Sequence, residues 1–298
     1  MAPSSAHAEW SATPGQPRGG PPPTDLVTPH PELSENTPFL DTPWVPPQTR
    51  HQGWMWLLYA VIGFVVGQVA AVIAAAIAAA VSGHSADLRT ISTEAVPPEW
   101  YVVSTLLGLW VGLIGAPWLA SRTQGTKNFV RDLGLRFRLI DLVGIPIGVA
   151  GQFLVVLMYL PFQNHIKNFN GPTHRLTGGA HGAGFLVIAI ATVILAPAME
   201  ELFFRGLLFK GLVRVFVPQR PAGTGRVVAV VAAVVVDGLL FGLAHGEWVQ
   251  LAGLAAFGMV LATVSYRTGR LGMNMVAHAS FNAWAILIIA LQGSGVLH

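Results

Sequence analysis

The sequence predicts an all-α, polytopic integral membrane helix bundle, and three observations carry that prediction. Of 298 residues, 53% are hydrophobic and only 10% are Asp, Glu, Lys or Arg, against roughly 25% charged residues in a soluble domain. The mean hydropathy is +0.57. The apolar residues gather in about seven runs, with eight allowed, each near the roughly 20 residues that cross a hydrocarbon core as a helix. No turn-separated alternation of apolar and polar residues suggests a barrel, so helices must satisfy the backbone groups in lipid.

Composition also removes function classes. There is no cysteine, which excludes disulfides, thiolate metal sites and a cysteine nucleophile. The net charge is +3, but the basic residues are scattered between apolar runs and make no nucleic-acid footprint. No nucleic acid is expected as a partner.

Taken in order, residues 1–53 come first. Twelve of the 21 prolines lie between Pro3 and Pro47, mixed with Gly, Ser and Thr. Such a segment cannot offset its chain entropy, so it is expected to be a disordered, partly polyproline-like tail. It lacks the basic and short apolar regions of a signal peptide. The transmembrane domain is expected over 54–298.

The predicted spans are Trp54–Val81, Trp100–Ala120, Leu142–Phe162, Ala183–Phe209, Val227–His245, Val249–Tyr266 and Leu271–Leu291. The first contains Gly63 and Gly67, followed by an alanine-rich run from Ala70 to Ala80. Two readings stand side by side: close helix packing through small residues, or the mere abundance of alanine and glycine in this chain.

Loop charge orients the bundle. With a cytoplasmic N-terminus, the inside loops hold Arg122, Lys127, Arg131, Arg136, Arg138, Lys210, Arg214, Arg220, Arg226, Arg267 and Arg270. The outside loops keep only Arg89, Lys167 and Arg175. That is a clear positive-inside bias, and the expected location is a cell membrane, multi-pass.

A few ionisable side chains break the pattern by lying within spans. Each costs about 2.5–3.5 kcal/mol on insertion scales, and such residues tend to mark functional interiors. They are Glu200, Glu201 and Arg205 in the fourth span, Asp237 and His245 in the fifth, and His278 in the seventh. Glu201 and Arg205, four residues apart, can pair on one helix face. Glu200 is rotated about 100° from Glu201, so it can stay free for chemistry. Pro197 removes a helix hydrogen bond just upstream and suits a kink beside a polar cavity. Asp237, Phe241 and His245 share one face of the fifth span, and His278 and Asn282 share one face of the seventh.

A structural ion pair would account for one glutamate and one arginine, but two adjacent glutamates leave a carboxylate over. Folding spans four and five back about residue 222 sets Glu200 level with His245. His278 sits only roughly 12 Å above its own turn at 1.5 Å per residue. It reaches that level only if spans four and five project into the cytoplasm or span six is bent or shortened.

Glu200-Glu201-x-x-x-Arg205, Phe241-x-x-x-His245 and His278-x-x-x-Asn282 together resemble the three motifs of the CAAX-protease and bacteriocin-processing (CPBP, or Abi) family of intramembrane proteases, which includes Rce1. The resemblance covers about 183–291, and Asp237 belongs to none of its motifs. It implies an endopeptidase acting on a membrane-associated protein or peptide. Glu200 and His245 would activate water, His278 and Asn282 would stabilise the oxyanion, and Arg205 would hold Glu201 in place. The resemblance also carries a metalloprotease label. Glu200, His245 and His278 are then the candidate ligands of an open zinc site, although no HExxH is present. A metal-free glutamate mechanism explains the same residues, and both routes stand open. Water must reach the bond, so a polar cavity is expected between spans four, five and seven.

Two other classes use the same residues: a carboxylate-based transporter, and a non-catalytic membrane scaffold or immunity factor. The transporter reading expects paired internal repeats, and none is found. The alanine, glycine, valine and proline content points to a GC-rich bacterial genome, so the family label is no statement about a prenylated substrate.

Overall fold

The computed structural model describes residues 50–83, 91–92, 97–162, 182–217 and 224–293. The proline-rich segment up to residue 49 lies outside the described residues. Among the described residues eight helices with both ends placed follow in order: α1 (Arg50–Val81), α2 (Glu99–Gln124), α3 (Phe129–Leu133), α4 (Gly144–Tyr159), α5 (Ala183–Phe216), α6 (Thr224–Ala244), α7 (Leu251–Thr268) and α8 (Gly272–Gly293). Short 3-10 turns extend α4 on both sides, to Leu139–Phe162. No strand occurs among the described residues.

Six of these helices, counting α4 with its extensions, are long and apolar enough to cross a membrane. The predicted seventh segment is also one helix, the 22 residues of α8. Large apolar side chains such as Val61, Val72, Leu157, Leu186 and Val227 point outward, as lipid-facing residues do. The chain is an all-α, multi-pass membrane protein.

Small residues set how closely the helices approach. In α1, Gly63 and Gly67 face Gly112, Ala116 and Leu109 of α2, where a Cβ on Gly112 would collide with the Gly63 carbonyl and the Gly67 backbone. The close-packing reading of Gly63 and Gly67 is the one the structure adopts. The same device recurs where Gly144 and Gly148 of α4 meet the backbone of α8. In a lipid solvent, where apolar burial drives little helix association, such backbone-level contact is what holds helices together.

Helix α5 runs through the middle, with Phe203, Leu207, Phe209 and Val213 buried around it. Its boundary departs from the prediction. The fourth span was expected to end at Phe209, with Lys210 and Arg214 in a loop, but the helix continues to Phe216 and is 34 residues long. That is about 51 Å, well beyond the roughly 30 Å hydrocarbon core. The two cations stay helical because they are accommodated inside the protein. Lys210 Nζ donates to the Asp132 carbonyl at 2.9 Å, and the Arg214 guanidinium lies 3.6 Å from the centroid of the Trp56 ring.

That overshoot resolves the level of His278. The α7–α8 turn docks part-way up α5, not at its end. Gly269 caps α7 in the left-handed region (φ 64°), a conformation that glycine adopts without penalty. Leu271 N–H then donates to the Gly134 carbonyl at 2.8 Å, and Arg270 pairs with Asp141 at 2.6 Å. Helix α8 therefore starts high, and His278 comes alongside the middle of α5.

Candidate active site

The middle of α5 departs from regular helix twice. Ala191–Leu195 and Phe204–Leu208 are π-helical turns, and the α-helical stretch Ala196–Phe203 between them carries Glu200 and Glu201. Such turns concentrate at functional sites. The first has a cause in the sequence. Ala196 N–H bonds the Ala191 carbonyl, five residues back, so the next donor in that spacing would be Pro197 toward Thr192. Proline has no N–H, and the Thr192 carbonyl is left to another donor. Asn282 Nδ2 supplies it from α8 at 2.9 Å.

The adjacent glutamates point different ways, as their 100° offset requires. Glu201 is fully buried and saturated. Its Oε1 lies 3.0 Å from Arg205 Nη1 and 2.9 Å from His278 Nδ1, and its Oε2 accepts from Asn274 Nδ2 at 3.3 Å. Arg205, also fully buried, reaches three helices. Besides Glu201, it donates to the Gly258 carbonyl of α7 at 2.9 Å and lies 3.4 Å from Asp237 Oδ2 of α6. Its guanidinium also sits 4.4 Å from the centroid of the Phe241 ring. One arginine thus faces two buried carboxylates, which is why Asp237 tolerates full burial.

Glu200 is different. Its side chain keeps 19% of its surface, and Oε2 lies 3.7 Å from Nε2 of both His245 and His278. That oxygen is itself buried, with no hydrogen-bond partner among the described residues. His245 lies in the turn that ends α6, 29% exposed, whereas His278 is 4% exposed. The second ring nitrogen of each histidine fixes its tautomer. His245 Nδ1 is 2.7 Å from the Phe241 carbonyl and His278 Nδ1 is 2.9 Å from the Glu201 carboxylate. Both partners only accept, so both rings carry their proton on Nδ1 and turn a bare Nε2 toward Glu200 when neutral. Phe241 packs edge-on against both imidazoles, with centroids 4.7 and 5.5 Å away.

The structure therefore gathers Glu200, Glu201, Arg205, His245 and His278 from α5, α6 and α8. Asn282 follows one turn beyond His278 on the same face, with one amide hydrogen given to Thr192. Sequence reasoning missed Asn274, which is fully buried and also donates to the Leu261 carbonyl at 2.7 Å. The signal was present: Asn274, His278 and Asn282 recur every four residues. Asp237, whose role the sequence left open, is placed as the second counter-charge of Arg205.

The candidate metal ligands Glu200, His245 and His278 do not qualify as a metal-holding group, and no group of three His, Asp or Glu residues does among the described residues. Two cavities are described elsewhere. A small one lies at the α6–α7 turn beside Gly246, and one of about 430 Å³ lies between α6 and α7.

An all-α membrane bundle that gathers a carboxylate pair, an arginine and two histidines around its long central helix belongs among polytopic membrane proteins with an intramembrane polar centre. Residues 182–284 match the Rce1-like family, described as type II CAAX prenyl endopeptidase Rce1-like. That segment holds every residue of the polar centre, and its similarity to the Rce1-like family is consistent with the CPBP group of intramembrane proteases. No curated protein and no solved structure matches the chain.

Proposed function

We propose that this protein is an intramembrane endopeptidase that hydrolyses a peptide bond of a membrane-associated protein or peptide, with Glu200 as the general base. One observation carries the reading. Of two adjacent glutamates, Glu201 is saturated by Arg205, His278 and Asn274, while a buried Glu200 oxygen stands unpaired 3.7 Å from two imidazole nitrogens. A structural ion pair needs the first and gives no reason for the second. A separation of 3.7 Å is too long for a direct hydrogen bond and suits a water held between the groups.

In this mechanism Glu200, assisted by His245, takes a proton from that water as it attacks the scissile carbonyl, and returns that proton to the leaving nitrogen as the C–N bond breaks, releasing the carboxyl and amine fragments. The developing oxyanion is met by His278 and by the second amide hydrogen of Asn282. For His278 to donate through Nε2 its ring must be doubly protonated, and Glu201 at Nδ1 is the counter-charge for that state. Arg205, tied to Glu201, Asp237 and Gly258, keeps Glu201 fixed without touching substrate. No step runs through a metal. The N-terminus is placed in the cytoplasm, because the basic ends of the helices then face inward.

Full-length protein reconstituted in lipid nanodiscs should cleave a membrane-anchored peptide. Glu200→Gln should lower the rate at least about 10³-fold with an unchanged melting temperature. Undiminished cleavage by that variant rejects the proposal. A proton-coupled flux in proteoliposomes, lost in Glu200→Gln with no cleavage by the parent protein, would support a transporter instead.

A further inference from the structure

The larger cavity shares no residue with the polar centre. Its volume of about 430 Å³ lies within the roughly 300–1,000 Å³ of small-molecule pockets. One wall is a stripe of α6, Val227, Val230, Val231 and Val234, and the other is Thr263 and Tyr266 of α7, with Arg226 and Arg267 at one end. The two helices run antiparallel, with Gly238 against Ala255 and Gly242 against Leu251. That register, carried to the helix ends, sets Arg226 level with Arg267. Neither arginine has an ion pair among the described residues, whereas the neighbouring Arg270 is paired with Asp141. The groove opens sideways, since Val227 and Val231 are 62% and 53% exposed.

From this arrangement we infer that the α6–α7 groove is a binding site for an anionic phospholipid, with the phosphate held by Arg226 and Arg267 and an acyl chain laid along the valine stripe. Each feature has a counterpart in that ligand. Two unpaired guanidiniums on different helices form a fork that suits a phosphate. They stand at the end of the bundle that also carries Arg131, Arg136, Arg138 and Arg270, where headgroups of an anionic leaflet lie. From Arg226 to Val234 the wall is about 12 Å long, and it is apolar throughout. A zwitterionic lipid would fill the apolar wall equally but leave the two positive charges uncompensated. The groove is separate from the catalytic reading: Asp237, one turn past Val234, is turned inward to Arg205. A resident lipid there would brace α6 against α7, the two helices that bring His245 and the Gly258 carbonyl to the centre.

The test is titration of the purified full chain in detergent with dioctanoyl phosphatidylglycerol, dioctanoyl phosphatidylcholine, inorganic phosphate and a farnesylated peptide. Phosphatidylglycerol should bind at least about tenfold more tightly than the other three. Each of Arg226→Gln and Arg267→Gln should weaken it about fivefold, and the pair about 25-fold. The Arg226→Lys/Arg267→Lys variant, which keeps both charges and loses the fork, should bind more weakly than the parent and more tightly than the double glutamine variant. Val231→Trp, which fills the groove and leaves both charges, should weaken the lipid as well. Equal binding of the two lipids, or unchanged binding in the double glutamine variant, overturns the inference. Phosphate binding as tightly as phosphatidylglycerol would make this a free-anion site, and tightest binding by the farnesylated peptide would make it a substrate groove; either overturns it too.

Discussion

Neighbouring carboxylates in this protein divide two tasks between them. Glu201 is buried with Arg205, and Arg205 in turn answers Asp237, so two buried carboxylates share one guanidinium. Glu200 stands outside that network. Removing one member of a buried ion pair leaves the other uncompensated and costs about 3–5 kcal/mol. Arg205→Met strands two carboxylates, so it should lower unfolding stability in detergent by at least that range. Asp237→Asn keeps the Glu201 pair and should cost less than half as much. A loss below about 1 kcal/mol for Arg205→Met would mean that water reaches the pair. At this scale the sequence was informative about types and spacing: Glu201–Arg205, and the stripe Asp237–Phe241–His245, follow from helical periodicity alone. The partner of Asp237 was not legible, because it lies across a helix interface that no spacing within α6 encodes. Asn274 shares the His278 face, but its partners, Glu201 and the Leu261 carbonyl, lie on other helices and no spacing within α8 encodes them.

The elements that carry these residues are less regular than their hydropathy suggests. Seven apolar segments were readable from the sequence, yet the two π-turns of α5 and its continuation to Phe216 were not. A π-turn leaves no periodic signature of its own, and Lys210 and Arg214 read as loop residues until Asp132 and Trp56 are placed beside them. Pro197 was expected to kink the helix. Its consequence in the structure is chemical: a carbonyl at Thr192 that Asn282 takes up from α8. Pro197→Ala restores an N–H that competes for that carbonyl and frees the Asn282 amide to move. If Asn282 serves the oxyanion, kcat should fall about 10- to 100-fold with KM within twofold, measured on the membrane-anchored peptide. Unchanged kcat would remove Asn282 from the mechanism.

At the scale of the whole molecule, the apolar bundle and its charge asymmetry were plain in composition. The vertical offset between helices was not, since it depends on where Gly134, Gly269 and the Arg270–Asp141 pair dock the α7–α8 turn. The proposed orientation is open to a clean test because the native chain has no cysteine. Single cysteines at Lys127 and Arg226 should react with an impermeant maleimide only in inverted vesicles. One at Arg175 should react only in right-side-out vesicles, and the reverse pattern would flip the bundle. The central claim is that Glu200 and His245 activate one water as a unit, and the cleavage rates of a mutant cycle test it most directly. Groups that work as a unit lose activity non-additively. Glu200→Gln and His245→Gln should each lower kcat about 10³-fold or more, and the double variant should be no worse than the more damaging single change. Losses that multiply, or a His245→Gln variant with full activity, would contradict the account.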